Sequence, residues 1–378
     1  MSAPVYLDYN ATAKVRPEAV AAVARALELG GNPSSIHAAG RAARALVETS
    51  RADVARLLAV KPESVTFLSG GTEASALAIE SAVLAGVQRL IVGATEHDAV
   101  VETSRAAGLP LETWPVDRCG LADLDWLAER LAGGPRALVC LMLANNETGV
   151  IQPVAEAAAL TRGAGGWLHV DAVQAAGKIG IDFNALGADT LALSAHKIGG
   201  PQGVGALAAG PRATLSRRLH GGGQERGRRS GTENVPGIAG FAAACSAALA
   251  HLPQLAEQAA WRDGLEASVR AAGAVVLGEG APRLPQTLSF AVEGHGADLQ
   301  VMGLDLAGVM VSSGAACSSG TVRPSRVIEA MGRPELATCA VRVSGGWASA
   351  AADWARCGEA WTEIITRHRS RERAPAVA

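Results

Sequence analysis

The sequence predicts an α/β protein, with a large domain built on a mainly parallel sheet and a smaller α+β domain. Short apolar runs alternate with segments of helical periodicity through the first 250 residues or so. The 378 residues are enough for one large and one smaller domain. Strands separated by helices are joined by right-handed crossovers, so the sheet is expected to be parallel.

The elements follow in chain order from their patterns. Apolar spacing predicts two helices near the N-terminus, over 19–30 and 41–60. Short apolar runs that end in polar or glycine residues predict buried strands over 64–70, 89–95, 137–143, 167–173 and 190–196. Beyond residue 250 the pattern predicts a helix over 251–273 and strands over 287–292, 309–314 and 339–346. We therefore predict a large domain over 12–250 and a small domain formed by 1–11 and 251–378.

Composition excludes several classes of protein. The formal net charge is −2 without long blocks of like charge, which argues against a nucleic-acid or membrane-surface partner. No run of 18 apolar residues is free of charges and breakers, and the N-terminus lacks a signal-peptide pattern, so we expect a cytoplasmic protein. None of the cysteines forms a C-x-x-C pair, so neither a disulfide framework nor a metal site is expected. The six cysteines are Cys119, Cys140, Cys245, Cys317, Cys339 and Cys357.

One strand end carries an unusual lysine. Of the 34 basic residues only four are lysines, and Lys197 follows a buried strand in "LALSAHKIGGPQGVGAL". An amine at such a position could form a Schiff base with a carbonyl cofactor. The alternative is a surface lysine in a turn.

Two further strand ends carry groups that would complement this amine. Asp171, with Gln174 three residues later, could pair with a protonated ring nitrogen or could simply cap the next helix. Gly71 and Thr72 open a helix after a strand, where backbone N–H groups can hold a phosphate, although many strand–helix turns look similar. This turn is neither a G-x-G-x-x-G nor a G-x-x-x-x-G-K-[ST] motif, so nucleotide binding is disfavoured.

Two more strand ends complete the set. His97 could stack on an aromatic ring, or be an ordinary loop histidine. Asn145, Asn146 and Glu147 could reach a cofactor hydroxyl or a substrate carboxylate, or serve to form a turn. Five polar signals at five strand ends are hard to explain as independent events. Together they predict a pyridoxal phosphate (PLP) site.

The motifs also carry a resemblance that runs from about residue 5 to residue 345. They are "YLDYNATA", "NPSSIHAAGRAA", "SGGTEAS", "EHDAV", "ANNETGVIQP", "HVDAVQAAGKIGID", "SAHKIGGPQGVGAL", "GGGQERGRRSGTENVPGIAGF" and "SSGAACSSG". The sequence resembles the cysteine desulfurases of the NifS and IscS type, in the class V aminotransferase group of fold-type I PLP enzymes. The resemblance implies a sheet of the seven-stranded type and a homodimer.

The resemblance implies roles around the cofactor ring. Lys197 would be the Schiff-base lysine, Asp171 would pair with the pyridine nitrogen, and Gln174 would hydrogen-bond the phenolic oxygen. His97 would stack on the ring, and Asn146 would lie near the ring oxygen and the substrate carboxylate.

Other implied roles concern the phosphate and the substrate. Thr232 would reach the phosphate of the neighbouring subunit, and Arg342 would bind the substrate α-carboxylate through its planar guanidinium. The groups implied at the phosphate within one chain are Gly71, Thr72, Ser194 and His196.

Cys317, in "SSGAACSSG", is the implied nucleophile. As a thiolate it would attack the sulfur of bound L-cysteine and carry a persulfide to an acceptor, leaving L-alanine. Read without the resemblance, it could be a spare thiol in a Gly/Ser turn. The partner would be a sulfur-acceptor protein or an iron–sulfur scaffold protein, with iron–sulfur cluster assembly as the expected purpose.

Some positions depart from the family pattern, and two other functions stay open. Ser75 stands where an amide is common, "SGAAC" replaces "SGSAC", and "RVSGGWASAAADW" follows a different pattern after Arg342. The alternatives are a selenocysteine lyase or another class V transaminase or lyase, and a PLP-bound scaffold protein without turnover. Cys317 disfavours a transaminase, which needs no thiol.

Overall fold

The computed structural model describes residues 3–314 and 323–373, the last three without their side chains. These ranges form twelve strands and eleven α-helices. The strands are β1 Val5–Tyr6, β2 Val65–Leu68, β3 Arg89–Gly93, β4 Leu111–Trp114, β5 Ala137–Cys140, β6 Trp167–Asp171, β7 Thr190–Ser194, β8 Gly205–Ala209, β9 Val275–Leu277, β10 Thr287–Ala291, β11 Val309–Met310 and β12 Ala340–Ser344. The helices are α1 Pro17–Leu29, α2 Ala38–Leu57, α3 Gly71–Leu84, α4 Asp98–Ala106, α5 Leu124–Leu131, α6 Val154–Gly163, α7 Phe183–Leu186, α8 Val235–Ala271, α9 Ala297–Leu306, α10 Arg326–Ala330 and α11 Ala351–Arg373.

A seven-stranded sheet forms the centre of the predicted large domain. Its strand order is β2-β8-β7-β6-β5-β3-β4, and the run from β7 through β4 is parallel. β8 is antiparallel to both β2 and β7. The strands β3, β5, β6 and β7 are buried along their whole length, because helices cover both faces of the sheet. The predicted α/β fold class is confirmed.

A second hydrophobic core lies in the C-terminal part. It is built on an antiparallel sheet of order β12-β10-β9 and on the short parallel pair of β1 and β11. Phe290 and Trp361 meet edge to face in this core, with ring centroids 5.0 Å apart. Strand β1 contributes Val5 to the same cluster. The N-terminal strand therefore packs with the C-terminal residues.

Helix α8 joins the two cores. The sequence predicts a helix over 251–273, whereas the structure starts it at Val235, with Pro236 in the first turn and Asn234 accepting a hydrogen bond from the Gly237 N–H. Residue 250, the predicted end of the large domain, lies inside this helix, and the division into domains stays a prediction. By length and composition α8 is the one described helix that could cross a membrane, but 56% of its most apolar window is buried within the protein, as in a core helix.

Candidate active site

The polar residues singled out by the sequence lie at one edge of the large sheet. Asp171 ends β6 and Ser194 ends β7, and a 3-10 turn from Ala195 to Lys197 follows directly. His97 follows β3 and caps α4. Because these strands are parallel, their carboxyl ends meet at the same edge. The sheet therefore brings together groups that are far apart in the sequence.

Lys197 is the amine of this site. Its Nζ donates to the Asn10 carbonyl oxygen at 2.6 Å and to the Ala11 carbonyl oxygen at 2.8 Å. Burial lowers the Lys197 pKa to about 8, and the positive charge of Arg342 adds to this effect. The negative charges of Asp171 and Asp8 oppose this shift by raising the Lys197 pKa. A substantial fraction of this lysine is therefore neutral at slightly alkaline pH.

Asp171 is a buried carboxylate with unused hydrogen-bonding capacity. Its Oδ1 accepts from the Val173 N–H at 2.9 Å, and no other hydrogen bond to this carboxylate occurs in the described ranges. Burial raises the Asp171 pKa, while the Val173 N–H and the charges of His97 and Lys197 lower it. His97 itself accepts from the Ala99 N–H at 3.0 Å. A cationic partner at the free oxygen would favour the ionised form of Asp171.

Glu96 is a second buried carboxyl group beside Asp171. Its Oε1 accepts from the Met142 N–H, and its Oε2 has no hydrogen-bond partner among the described residues. Burial raises the Glu96 pKa well above its usual value, and the charge of Asp171 raises it further. Burial and the Asp171 charge therefore both favour the protonated form of Glu96 over a second negative charge beside Asp171.

The start of α3 is open toward the same edge. A methyl group on Gly71 would lie 2.8 Å from Val173 Cγ2 and 3.6 Å from Ser194 Cβ, so glycine is needed where the two turns meet. The N–H groups of the first helical turn have no partner within the helix, and Thr72 is exposed beside them. Such a helix start binds anions, and phosphate in particular.

His196 lies on the turn next to Lys197. Its Nδ1 is 3.2 Å from Thr12 Oγ1. Burial lowers the His196 pKa to about 4, and the charges of Lys197 and Lys178 add to this effect. The imidazole is therefore neutral at physiological pH, and one of its nitrogens can donate a hydrogen bond.

Asn10 connects the groups on the large-domain side. Its carbonyl oxygen accepts from Lys197 and from Gln174 Nε2, the latter at 2.9 Å. Its side-chain Oδ1 accepts from Lys178 Nζ at 3.0 Å, and its Nδ2 donates to the Asn146 carbonyl oxygen at 3.1 Å. One asparagine thus contacts four residues of the site through three of its own atoms.

Arg342 enters from β12, on the side of the predicted small domain. Its Nη2 contacts Asp8 Oδ1 at 2.7 Å, and its Nη1 donates to the Asn146 carbonyl oxygen at 3.1 Å. The side chain is buried, and its Nε has no partner among the described residues. The guanidinium is thus held on two sides and keeps one unused N–H.

One predicted site residue, Thr232, forms no hydrogen bond with this cluster in the described ranges, and another lies outside those ranges. Thr232 is exposed and lines a surface cavity with Ser69 and Arg229. Arg229 forms a 3.0 Å ion pair with Glu73 in the first turn of α3. The chain around Thr232 is therefore attached to the start of that helix. Cys317 lies outside the described residues.

The cluster fits PLP chemically. A protonated ring nitrogen suits the free oxygen of Asp171, a phosphate suits the start of α3, and an aldehyde carbon suits the Lys197 amine. The spare Nε of Arg342 suits a carboxylate. These are the protein groups that the cofactor and an amino-acid substrate need.

Sequence reasoning missed Asp8, Asn10, Glu96 and Lys178 as members of this site. Asp8 and Asn10 lie in "YLDYNATA", Glu96 precedes His97, and Lys178 is another of the four lysines. The scarcity of lysine was a usable signal for Lys178. The other three carry no local pattern that distinguishes them.

Comparison with known proteins agrees with this geometry. Residues 5–354 match the aminotransferase class-V family. The chain is 44% identical over 360 residues to a cysteine desulfurase of Cereibacter sphaeroides, covering 92% of each chain. It is 40% identical to a cysteine desulfurase of Bradyrhizobium diazoefficiens, covering 98% of this chain and 97% of that one. A NifS-like protein from Rickettsia africae superposes with a TM-score of 0.89 at 32% identity, covering 96% of this chain and 99% of the other.

The chain belongs to the aminotransferase class-V family and, within it, to the cysteine desulfurases. The predicted family and enzyme class are confirmed.

Proposed function

We propose that this cysteine desulfurase works with PLP and L-cysteine, that Lys197 moves the protons and that Cys317 receives the sulfur. The observation that carries the proposal is the position of Lys197. Its amine lies among Asp171, Arg342 and two backbone carbonyls, and its pKa is lowered to about 8. Family membership supports the cofactor, because class V aminotransferases are PLP enzymes.

The residues proposed to hold the cofactor surround that amine. Asp171 would pair with the ring nitrogen, Gln174 would donate to the ring oxygen, and His97 would cover one ring face. The groups proposed at the phosphate are Gly71, Thr72, Ser194 and His196, with Thr232 of a second subunit. PLP, when bound, withdraws electrons from the substrate and so acidifies its Cα–H.

Lys197 is the proposed general base and acid. A base must be unprotonated at working pH, and burial together with Arg342 supplies this by lowering the Lys197 pKa. The same amine can return the proton elsewhere on the substrate once the carbon–sulfur bond has broken. An arginine cannot perform this transfer, because it stays protonated.

Arg342 is the proposed carboxylate-binding residue. Asp8 and the Asn146 carbonyl fix its guanidinium, so its orientation is set before substrate arrives. A substrate α-carboxylate would accept from the buried Nε, or displace Asp8 from Nη2. Either arrangement places the amino acid beside Asn146 and within the same cluster as Lys197.

Cys317 is the proposed nucleophile toward sulfur. Its thiolate forms a sulfur–sulfur bond with the substrate, and the substrate carbon–sulfur bond breaks. The carbon fragment keeps the electron pair of that bond, takes up a proton and leaves as L-alanine, while Cys317 becomes a persulfide. A sulfur-acceptor protein would then take the terminal sulfur.

The destination of the sulfur, the location of the protein and its oligomeric state are also proposals. Iron–sulfur cluster assembly is the proposed destination of the sulfur, and the cytoplasm is the proposed location. We propose a symmetric homodimer, because Thr232 is exposed and lines a surface cavity that includes neither Ser194 nor His196 of the same chain.

The experiment distinguishes the role of the Cys317 thiol from that of the Lys197 amine. Cys317→Ser should keep bound PLP and its visible absorption, yet lose persulfide formation and sulfide release, because a serine hydroxyl is a far poorer nucleophile toward sulfur. Cys119→Ser is the matched control, since Cys119 is a partly exposed thiol elsewhere in the chain. The measurements are alanine, sulfide and PLP content after mixing with cysteine and a reductant.

The other outcomes decide between the alternatives. Sulfide release at the unmodified rate by Cys317→Ser would contradict the assignment of the nucleophile. Alanine formed faster from selenocysteine than from cysteine would indicate a selenocysteine lyase. A PLP-bound chain that releases no sulfide would instead be a scaffold protein.

A further inference from the structure

A second lysine is buried beside the proposed cofactor site. Lys178 follows the turn after β6 and has only 7% of its surface exposed. Its Nζ donates to Gln174 Oε1 at 2.6 Å and to Asn10 Oδ1 at 3.0 Å. Within the described ranges it forms no ion pair with a carboxylate.

The surroundings of Lys178 favour a neutral amine. Burial lowers the Lys178 pKa well below its usual value, and the positive charges of Lys197 and Arg342 lower it further. His196 on the neighbouring turn is also close enough to interact with it electrostatically. A neutral amine has two N–H donors, and the two amide oxygens accept both of them. The amine is thus satisfied without a counter-ion.

This pair of hydrogen bonds fixes two side-chain amides. With Gln174 Oε1 bound to Lys178, the NH₂ group of Gln174 must face the other way, where it donates to the Asn10 carbonyl at 2.9 Å. With Asn10 Oδ1 also bound to Lys178, the NH₂ group of Asn10 donates to Asn146 and to Thr287 Oγ1. An amide NH₂ has two donors, so Gln174 keeps one N–H for another acceptor.

We propose that Lys178 is a positioning residue for the cofactor, because it holds the Gln174 amide with an N–H available to the cofactor's ring oxygen. Through Asn10, it also keeps in place the carbonyl that accepts from Lys197. The proposal rests on the proposed function, since it requires that PLP binds here. A lysine that only tied the N-terminal segment to the large domain would leave the properties of the bound cofactor unchanged.

The experiment uses the PLP-loaded enzyme and Lys178→Met, with Lys61→Met at an exposed lysine as the matched control. Losing the N–H at the ring oxygen removes a donor that favours its negative charge, so the bound cofactor should hold its proton to higher pH. We expect the pH midpoint of the visible absorption to rise by about one pH unit, because one hydrogen bond contributes about that much free energy to the pKa. The dissociation constant of PLP should rise about tenfold. Lys61→Met should change neither.

A second comparison tests whether Lys178 acts through Gln174. In a Gln174→Met background, Lys178→Met should add little further shift, because the positioned amide is already gone. A full additional shift in that background would overturn the proposal, as would Lys178→Met lowering the melting temperature with an unchanged midpoint and affinity. Lys178→Gln keeps an NH₂ donor and serves if the methionine variant does not fold, with an intermediate midpoint expected. These readouts require PLP binding alone, so a chain that binds PLP but releases no sulfide would reject only the desulfurase reaction.

Discussion

The N-terminal segment 7–12 contacts basic side chains on two sides. The sides differ in whether the basic group is paired with a carboxylate. On the large-domain side, the hydrogen bonds that Lys197 and Lys178 donate within the described ranges all go to neutral carbonyl or amide oxygens, and burial lowers the pKa of both amines. On the small-domain side, Arg342 meets the Asp8 carboxylate at 2.7 Å. The same short segment supplies oxygens to both sides: Asn10 and Ala11 accept from the lysines, and Asp8 pairs with Arg342.

The difference shows how one site can hold both a base and a permanent cation. An amine that loses water without gaining a counter-ion becomes easier to deprotonate, as proton transfer requires. A guanidinium with a carboxylate keeps its charge and its orientation, as binding of a substrate carboxylate requires. Desolvation without a counter-ion thus suits one basic side chain to proton transfer, and pairing with a carboxylate suits another to substrate binding.

The largest effect should come from removing the amine on the large-domain side. Lys197→Ala should reduce alanine formation at least about 10³-fold, because it removes the proposed general base and acid. PLP could remain bound without a covalent bond, so alanine is the decisive measurement. Lys14→Ala, at an exposed lysine of the same N-terminal region, is the control and should retain activity. Normal alanine release by the Lys197 variant would refute its role as base.

A smaller effect is expected from the small-domain side. Arg342→Lys keeps the charge but loses the planar fork, so the KM for cysteine should rise about 10- to 100-fold. The turnover number should change less, since Lys197 and the proposed nucleophile remain. Steady-state kinetics measure both, with the exposed Arg367→Lys as control. A fall in turnover at constant KM would show that Arg342 does not bind the substrate carboxylate.

The smallest effect tests whether the two sides are coupled. Only the neutral Lys197 amine is nucleophilic, so uptake of PLP by the cofactor-free protein should quicken as pH rises, with a midpoint at about 8. The Asp8 charge raises the Lys197 pKa, so Asp8→Asn should move this midpoint down by roughly half a unit. The exposed Asp305→Asn should leave it in place. An upward move would mean that Arg342, once released from Asp8, moves away from Lys197 and no longer lowers its pKa.

The sequence alone determined the fold class and most of the large sheet. Apolar runs that end in polar residues predicted five of the strands, because buried parallel strands are apolar throughout. The predictions missed β1, β4, β8 and β9. β4 has exposed positions and no continuous apolar run, and β8 consists of glycine, alanine and one leucine. The start of α8 was also missed, because its glycines and proline are typical of a loop.

The sequence likewise identified the strand-end groups, since the ends of parallel strands converge by topology. Only the tertiary structure decided what surrounds them. Asn10 and Lys178 are 168 residues apart, and no periodicity records that their side chains meet. Asp8 and Arg342 are separated by 334 residues, yet they form one ion pair. Burial and long-range contacts set the pKa values of Lys197, Glu96 and Lys178, and these depend on how distant segments pack rather than on any local pattern.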